Sequence, residues 1–140
     1  IEREMISDYV NTNTDLFTWK FGDRILAFPS TLEADLPILM KNLYIRKAGI
    51  AIGKPAVKEL IPDHELALSN IIKGNLVAIS LKKEDALQYL RKEEVRIDDN
   101  RRGWALVQYE GLNLGWVKVL PNRINNYYPK EWRILKSANN

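Results

Sequence analysis

Two β-prone runs, Trp104–Tyr109 and Leu114–Leu120, flank the short polar stretch Glu110–Gly111–Leu112–Asn113. Runs this short, with a glycine between them, are built to fold back on each other as antiparallel strands. In the second run Val117 and Val119 alternate with Trp116 and Lys118. The β-branched pair therefore takes one sheet face, and the indole and the ammonium share the other. A valine face is a core face, which puts Trp116 and Lys118 together on the other side: either Trp116 is outside, where a Trp next to a Lys implies something to meet, or it packs under the helix or the Asn125–Tyr128 loop. Gly115 inside the run marks a bulge or a close backbone approach.

The rest of the 140 residues divides at Lys73–Gly74–Asn75, the clearest break in the chain. Before it, residues 2–10 read as a short helix, and Asn11–Asp15 as a polar break. Leu16–Lys20 and Arg24–Phe28 read as a hairpin around Gly22–Asp23, closed by Pro29 and Ser30. Leu36–Tyr44 reads as a helical or irregular link started by Pro37. Arg46–Ile52 is β-prone, and Pro62–Ser69 reads as a helix with acidic residues in its first turn. After the break come a strand over Leu76–Leu81, a helix over Lys83–Lys92 that buries Ala86, Leu87 and Leu90, and a short strand over Val95–Ile97. The meander follows, then an irregular Arg123–Tyr128, a turn at Pro129–Lys130 and a last strand over Trp132–Leu135. The fold class is α+β: an α/β linking segment over 1–75, then, over 76–140, a small antiparallel, barrel-like sheet with one inserted helix.

Charge is distributed unevenly. The chain carries 21 Lys and Arg against 18 Asp and Glu. Residues 101–140 hold seven basic and two acidic side chains, together with Trp104, Trp116, Trp132, Tyr109, Tyr127 and Tyr128. Cations meet phosphates and aromatic faces stack on bases, so the interleaving suits a nucleic-acid surface.

Several chemistries are excluded. There is no Cys and a single His, which removes disulfides, thiolate nucleophiles and His- or Cys-rich metal sites. His64, between Asp63 and Glu65, has neither nucleophile nor metal partner and reads as a structural residue at a helix start. The acidic pairs Glu93–Glu94 and Asp98–Asp99 read as solvated turns. No run reaches the length of a membrane span, and the charged N-terminus lacks a signal-peptide core; the expected compartment is the cytoplasm. A first residue of Ile1 fits a piece of a longer polypeptide.

A longer pattern runs through Gly103–Val107, Gly111–Lys118 and Asn122–Ile134, with the LGW-x-K and N-x-Y-P-K combination at its centre. It resembles the C-terminal RNA-binding region of bacterial RsmF-type ribosomal RNA methyltransferases of the Nop/Sun class, which methylate C5 of cytosine. Asp63–Leu68 and Glu84–Arg91 fit the same region, so the resemblance covers roughly residues 45–135. It implies a PUA-like mixed β pseudobarrel over 76–140, following a Rossmann-type catalytic domain. Two departures stand out: Lys92 occupies a position where a helix-ending glycine is expected, and Ala56–Val57 make Lys54 and Lys58 weaker candidates for RNA contact. The family's thiolate attack on C6 cannot come from a chain without Cys, and no GxGxxG turn is present to cradle S-adenosylmethionine. The resemblance thus implies a non-catalytic module with no cofactor of its own. It would grip ribosomal RNA, of the small subunit, and present a base to an upstream S-adenosylmethionine-dependent domain.

The candidate phosphate contacts are Lys118, Arg123, Lys130 and Arg133, with Arg101 and Arg102 on a neighbouring loop. Trp116, Tyr127 and Tyr128 are the candidate stacking rings, with at least one of the tyrosines in the core. Asn125 and Asn126 either read base edges or shape their loop, and one of them is assigned to the loop. The alternative function is a protein-interaction or structural module that braces the methyltransferase domain, using an apolar patch of Leu36, Ile38, Leu39 and Leu43.

Overall fold

The computed structural model describes residues 2–11, 15–35, 49–97 and 101–135. The chain gathers into two compact units, Ile1–Gly74 and Asn75–Asn140. The expected link Leu36–Tyr44, with the apolar patch it would supply, and the acidic pair Asp98–Asp99 lie outside the described residues, as do residues 46–48 at the start of one expected strand.

In the first unit, helix α1 (Glu2–Ser7) is followed by the hairpin β1 (Leu16–Phe21) and β2 (Arg24–Pro29), then a 3-10 segment, Ser30–Asp35. Strands β3 (Ile50–Pro55) and β4 (Leu60–Pro62) complete an antiparallel sheet of order β1-β2-β3-β4. The hairpin turns through Gly22–Asp23, with Phe21 paired to Arg24 and Gly22 at φ 64°. Ile25 to Phe28 are all buried, so both faces of β2 are covered. Phe17 stacks on Phe28 at 5.4 Å between ring centroids. Helix α2 (His64–Leu68) is shorter than the sequence suggests, because Leu60–Pro62 pairs with β3 as a strand. Asp63 caps it, its side chain accepting from the Glu65 N–H at 3.1 Å; such a cap is worth about 1 kcal/mol.

The second unit is built from β5 (Ala78–Ser80), α3 (Lys83–Leu90), β6 (Gly103–Tyr109), β7 (Leu112–Val119) and β8 (Ile124–Asn126), with a 3-10 turn at Lys130–Trp132. The sheet order is β5-β6-β7-β8. The sheet is mixed, as the resemblance implies, and departs from the antiparallel, barrel-like reading of the strand order on two points. Helix α3 returns the chain to the end of the sheet it left, so β6 runs parallel to β5. The four strands also form an open ladder rather than a closed barrel, with the three-residue β5 and β8 at its edges.

The β6–β7 turn is tighter than the sequence suggests. Tyr109 pairs with Leu112, leaving only Glu110 and Gly111 between them, at φ 49° and 82°. Two consecutive residues at positive φ define a type I′ hairpin turn, whose twist matches that of the strands. Leu112 and Asn113 therefore belong to β7, and Gln108 Nε2 donates to Asn113 Oδ1 at 2.7 Å. The bulge expected at Gly115 is present: register steps from Val107↔Gly115 to Gln108↔Asn113, leaving Leu114 as the extra residue.

Two expected strands are absent. Val95–Ile97 is irregular, yet Val95 is buried in the core of the unit. Trp132–Leu135 forms no strand: Trp132 ends the 3-10 turn, and the Ile134 N–H donates to the Leu90 carbonyl at 2.9 Å. Conversely, Arg123–Tyr128 is not wholly irregular, since Ile124–Asn126 pairs with Val117–Val119.

Val117 and Val119 do face the core, packed with Ala105, Val107, Ile79 and the Ala86 and Tyr89 side chains of α3. Helix α3 ends in a Schellman motif, in which the Lys92 N–H bonds Tyr89 O and the Glu93 N–H bonds Gln88 O, both at 3.0 Å. Lys92 occupies the left-handed position of that motif, at φ 65°, which explains why a glycine is expected there.

Candidate nucleic-acid interface

The second sheet's other face carries the row Trp104, Lys118 and Asn125, which are register partners across β6, β7 and β8. The Lys118 ammonium lies 5.3 Å from the centroid of the Trp104 ring. Tyr127 packs edge-on against the same indole, with ring centroids 4.5 Å apart and planes at 67°, and its N–H donates to Trp116 O at 3.1 Å. Tyr127 keeps 37% of its surface exposed. This cluster therefore offers one accessible ring, braced by a second ring that also holds a cation. Sequence reasoning passed over Trp104. The available signal was its place opposite Lys118 once the hairpin register is drawn.

Trp116 requires correction. It shares the Lys118 side of β7, as alternation dictates, but only 1% of it is exposed, opposite a buried Leu106. Alternation assigns a side chain to a face and says nothing about whether that face is open. Trp116 is thus a buried ring and not an outward stacking surface.

Tyr128 also belongs to the interior. It packs on the edge of the core, meeting Tyr89 edge-on at 5.4 Å. Asn126 has the loop-shaping role. Its Nδ2 donates to Tyr89 O at 2.9 Å and Glu93 O at 3.0 Å, and its Oδ1 accepts from the Tyr128 N–H at 2.9 Å. With both amide groups engaged, it has no edge left for a base. Asn125 remains on the Trp104 row, half-buried.

Arg102 and Arg123 line one open hollow at the end of the sheet, together with Arg96, which sequence reasoning did not single out. Arg101 is exposed beside Arg102. Lys130 and Arg133 are exposed on the C-terminal segment that Ile134 ties to α3, and they line neither that hollow nor the one adjoining it. Lys118 stands with the rings, and Arg96, Arg102 and Arg123 line the hollow.

In the first unit, the Asp63 carboxylate receives the Arg24 guanidinium at 2.9 Å as well as the helix cap. Burial pushes the His64 imidazole below its ordinary range, and Asp63 pulls weakly the other way. Glu65 is raised, first by burial and then by Asp63. This arrangement fixes a helix start. Among the described residues no three His, Asp or Glu side chains gather to hold a metal, and no helix is long and apolar enough to cross a membrane.

A small mixed sheet with a single helix crossing between its first two strands, in an α+β chain, is a PUA-like fold. Residues 77–134 match the family model of the methyltransferase RsmF PUA domain. The chain is similar to the ribosomal RNA small subunit methyltransferase F of Shewanella loihica, at 26% identity over 139 residues, covering 92% of this chain and 27% of the relative. It is similar also to the proteins of that name from two strains of Aliivibrio fischeri, each 26% identical over 113 residues, covering 81% of this chain and 23% of the relative. The chain spans about a quarter of the length of these curated relatives.

Proposed function

We propose that this chain is the RNA-gripping accessory region of a ribosomal RNA cytosine-C5 methyltransferase acting on the small subunit in the cytoplasm, and that it positions a base for a catalytic domain elsewhere in the protein. The observation that carries the reading is the Lys118–Trp104–Tyr127 cluster on the part of the chain that matches the RsmF PUA family model. Lys118, Arg101, Arg102 and Arg123 supply phosphate contacts, and Tyr127 supplies the stacking face; Lys130 and Arg133 add charge at the C-terminal side. Trp104 holds the Tyr127 ring in place, and Asn126 holds the loop that carries it.

Among the described residues, the strand-to-helix turn does not suit S-adenosylmethionine. The crossover β5–α3–β6 is the one parallel unit among the described residues. Its strand-to-helix turn, Leu81–Lys82, has no glycine, and the Leu81 N–H is bonded to Gln108 O at 2.8 Å. The cofactor's carboxylate therefore has no cradle there, and methyl transfer is assigned to the rest of the protein.

The test is a fluorescence-anisotropy titration against small-subunit ribosomal RNA fragments over a salt series. Affinity should fall with salt, and the logarithmic slope should shrink by about 0.7–0.9 for each phosphate contact removed by Lys118→Ala or Arg123→Ala. Binding that ignores salt, or no binding at all, would sink the reading.

A further inference from the structure

The hollow lined by Arg96, Arg102 and Arg123 has a volume of about 730 Å³, within the range of small-molecule sites. Its lining includes the apolar side chains of Ile97, Leu120, Pro121 and Ile124. The first, second and fourth of these are half-buried and Pro121 is exposed. The three guanidinium-bearing residues line the same hollow, all of them exposed, with Asn122 and the acidic Glu94 also among its described lining residues. A second hollow, of about 570 Å³, shares Glu94, Arg123 and Ile124 with the first and continues to Lys92, Asn125 and Tyr127. One concave track thus leads from apolar side chains among arginines, past Arg123, to the accessible tyrosine ring.

We propose that this hollow is a binding site for an unpaired nucleotide of an RNA strand, with the base on the apolar side chains of the lining and its phosphates among Arg96, Arg102 and Arg123, the strand continuing to Tyr127. The site rests on the RNA-binding reading above and specifies the form of RNA it takes. A duplex covers its base faces by stacking and shows only phosphates along its ridges, so the apolar lining of a hollow gains nothing from it. An unpaired base brings an exposed planar face that packs on that lining, while the flanking phosphates reach the arginines. The Asn122 amide, a donor and an acceptor, is placed to meet a base edge.

The whole chain is titrated with a labelled single-stranded oligoribonucleotide and with the matching duplex, using the native sequence and the variants Arg96→Glu and Leu120→Asp. The native chain should prefer the single strand. Arg96→Glu should weaken single-strand binding about tenfold and duplex binding far less, and should reduce the single-strand salt slope by about 0.7. Leu120→Asp should weaken only the single strand. Arg96 is exposed, so that variant remains informative if Leu120→Asp fails to fold. Equal loss for both RNAs, or single-strand affinity within twofold of native for Arg96→Glu, overturns this site while leaving the general RNA reading standing. A native chain that binds neither RNA overturns both.

Discussion

The Lys92 ammonium donates to the backbone carbonyl of Asn126 at 2.6 Å, across 34 residues of chain, while Lys92 itself sits in the left-handed region at φ 65°. The backbone position favours glycine, and the side chain is held by a contact that glycine cannot make. A left-handed non-glycine residue costs about 1–2 kcal/mol, and an exposed hydrogen bond returns about 1 kcal/mol or less. Lys92→Gly is therefore expected to be neutral to about 1 kcal/mol stabilising. Lys92→Ala keeps the strain and loses the bond, and is expected to be about 0.5–1.5 kcal/mol destabilising. Urea unfolding midpoints check the order; an alanine variant more stable than the glycine variant would contradict it.

Asn126 ties the end of α3 to β8 through three side-chain hydrogen bonds. Asn126→Ala should lose about 2–3 kcal/mol of stability, at roughly 1 kcal/mol per bond. Asn126→Asp should be no better, because a carboxylate cannot donate to the Tyr89 and Glu93 carbonyls. Denaturant unfolding of both variants measures this, and a loss under about 0.5 kcal/mol would remove the structural role.

The buried Tyr89 hydroxyl donates to Trp116 O at 3.0 Å. Tyr89→Phe should cost about 1 kcal/mol, since it removes one buried hydrogen bond while the Trp116 carbonyl keeps the one from the Tyr127 N–H. Burial first, and the neighbouring Tyr128 second, push this hydroxyl above its ordinary 10.0. A folded value above the unfolded one means the folded chain holds the proton more tightly. The stability gained is complete below pH 10 and is lost as pH rises beyond it. Alkaline unfolding followed by circular dichroism should be shallower in Tyr89→Phe than in the native chain.

His64 is the only histidine, so one imidazole resonance reports on it alone. Burial holds it below its ordinary 6.5, and the NMR titration midpoint should fall under that value. The unfolded chain then binds the extra proton first, so this contribution to stability is present above pH 6.5 and declines as pH falls below it. A midpoint at or above 6.5 would show that Asp63 outweighs burial.

Tyr127 and Trp116 are neighbours in the same loop-and-strand region with opposite expected behaviour. Tyr127→Ala removes an accessible ring and should weaken RNA binding by about 1–3 kcal/mol, with little change in the thermal midpoint. Trp116→Ala opens a cavity at a fully buried position and should cost about 3–5 kcal/mol of folding stability. Paired melting and RNA titrations separate the two; a Trp116→Ala chain that melts as the native one does would contradict its burial.

Much of the scaffold was legible from local signals: the Gly22–Asp23 hairpin, the Val117–Val119 core face, the bulge at Gly115 and the helix over Lys83–Leu90 all follow from side-chain period and turn chemistry. The terminal strand over Trp132–Leu135 was misread, because no local signal reports whether a segment finds a pairing partner. The site was less legible. Trp116 and Asn126 read as surface candidates, yet one is enclosed and the other is tied to backbone carbonyls. Arg96 was missed because it stands between two acidic pairs in the sequence, although it lines the same hollow as Arg102 and Arg123.

The amino-acid order by itself determined which residues share a strand face, where the chain reverses and which chemistry is absent, since these depend on bond geometry and residue type over a few positions. Only the tertiary structure decided that Trp116 is enclosed while Tyr127 is accessible, and that Asn126 is occupied by groups 33 and 37 residues away. A ring or an amide becomes a binding surface or a structural tie according to what distant segments bring against it, and that competition is settled only when the chain packs.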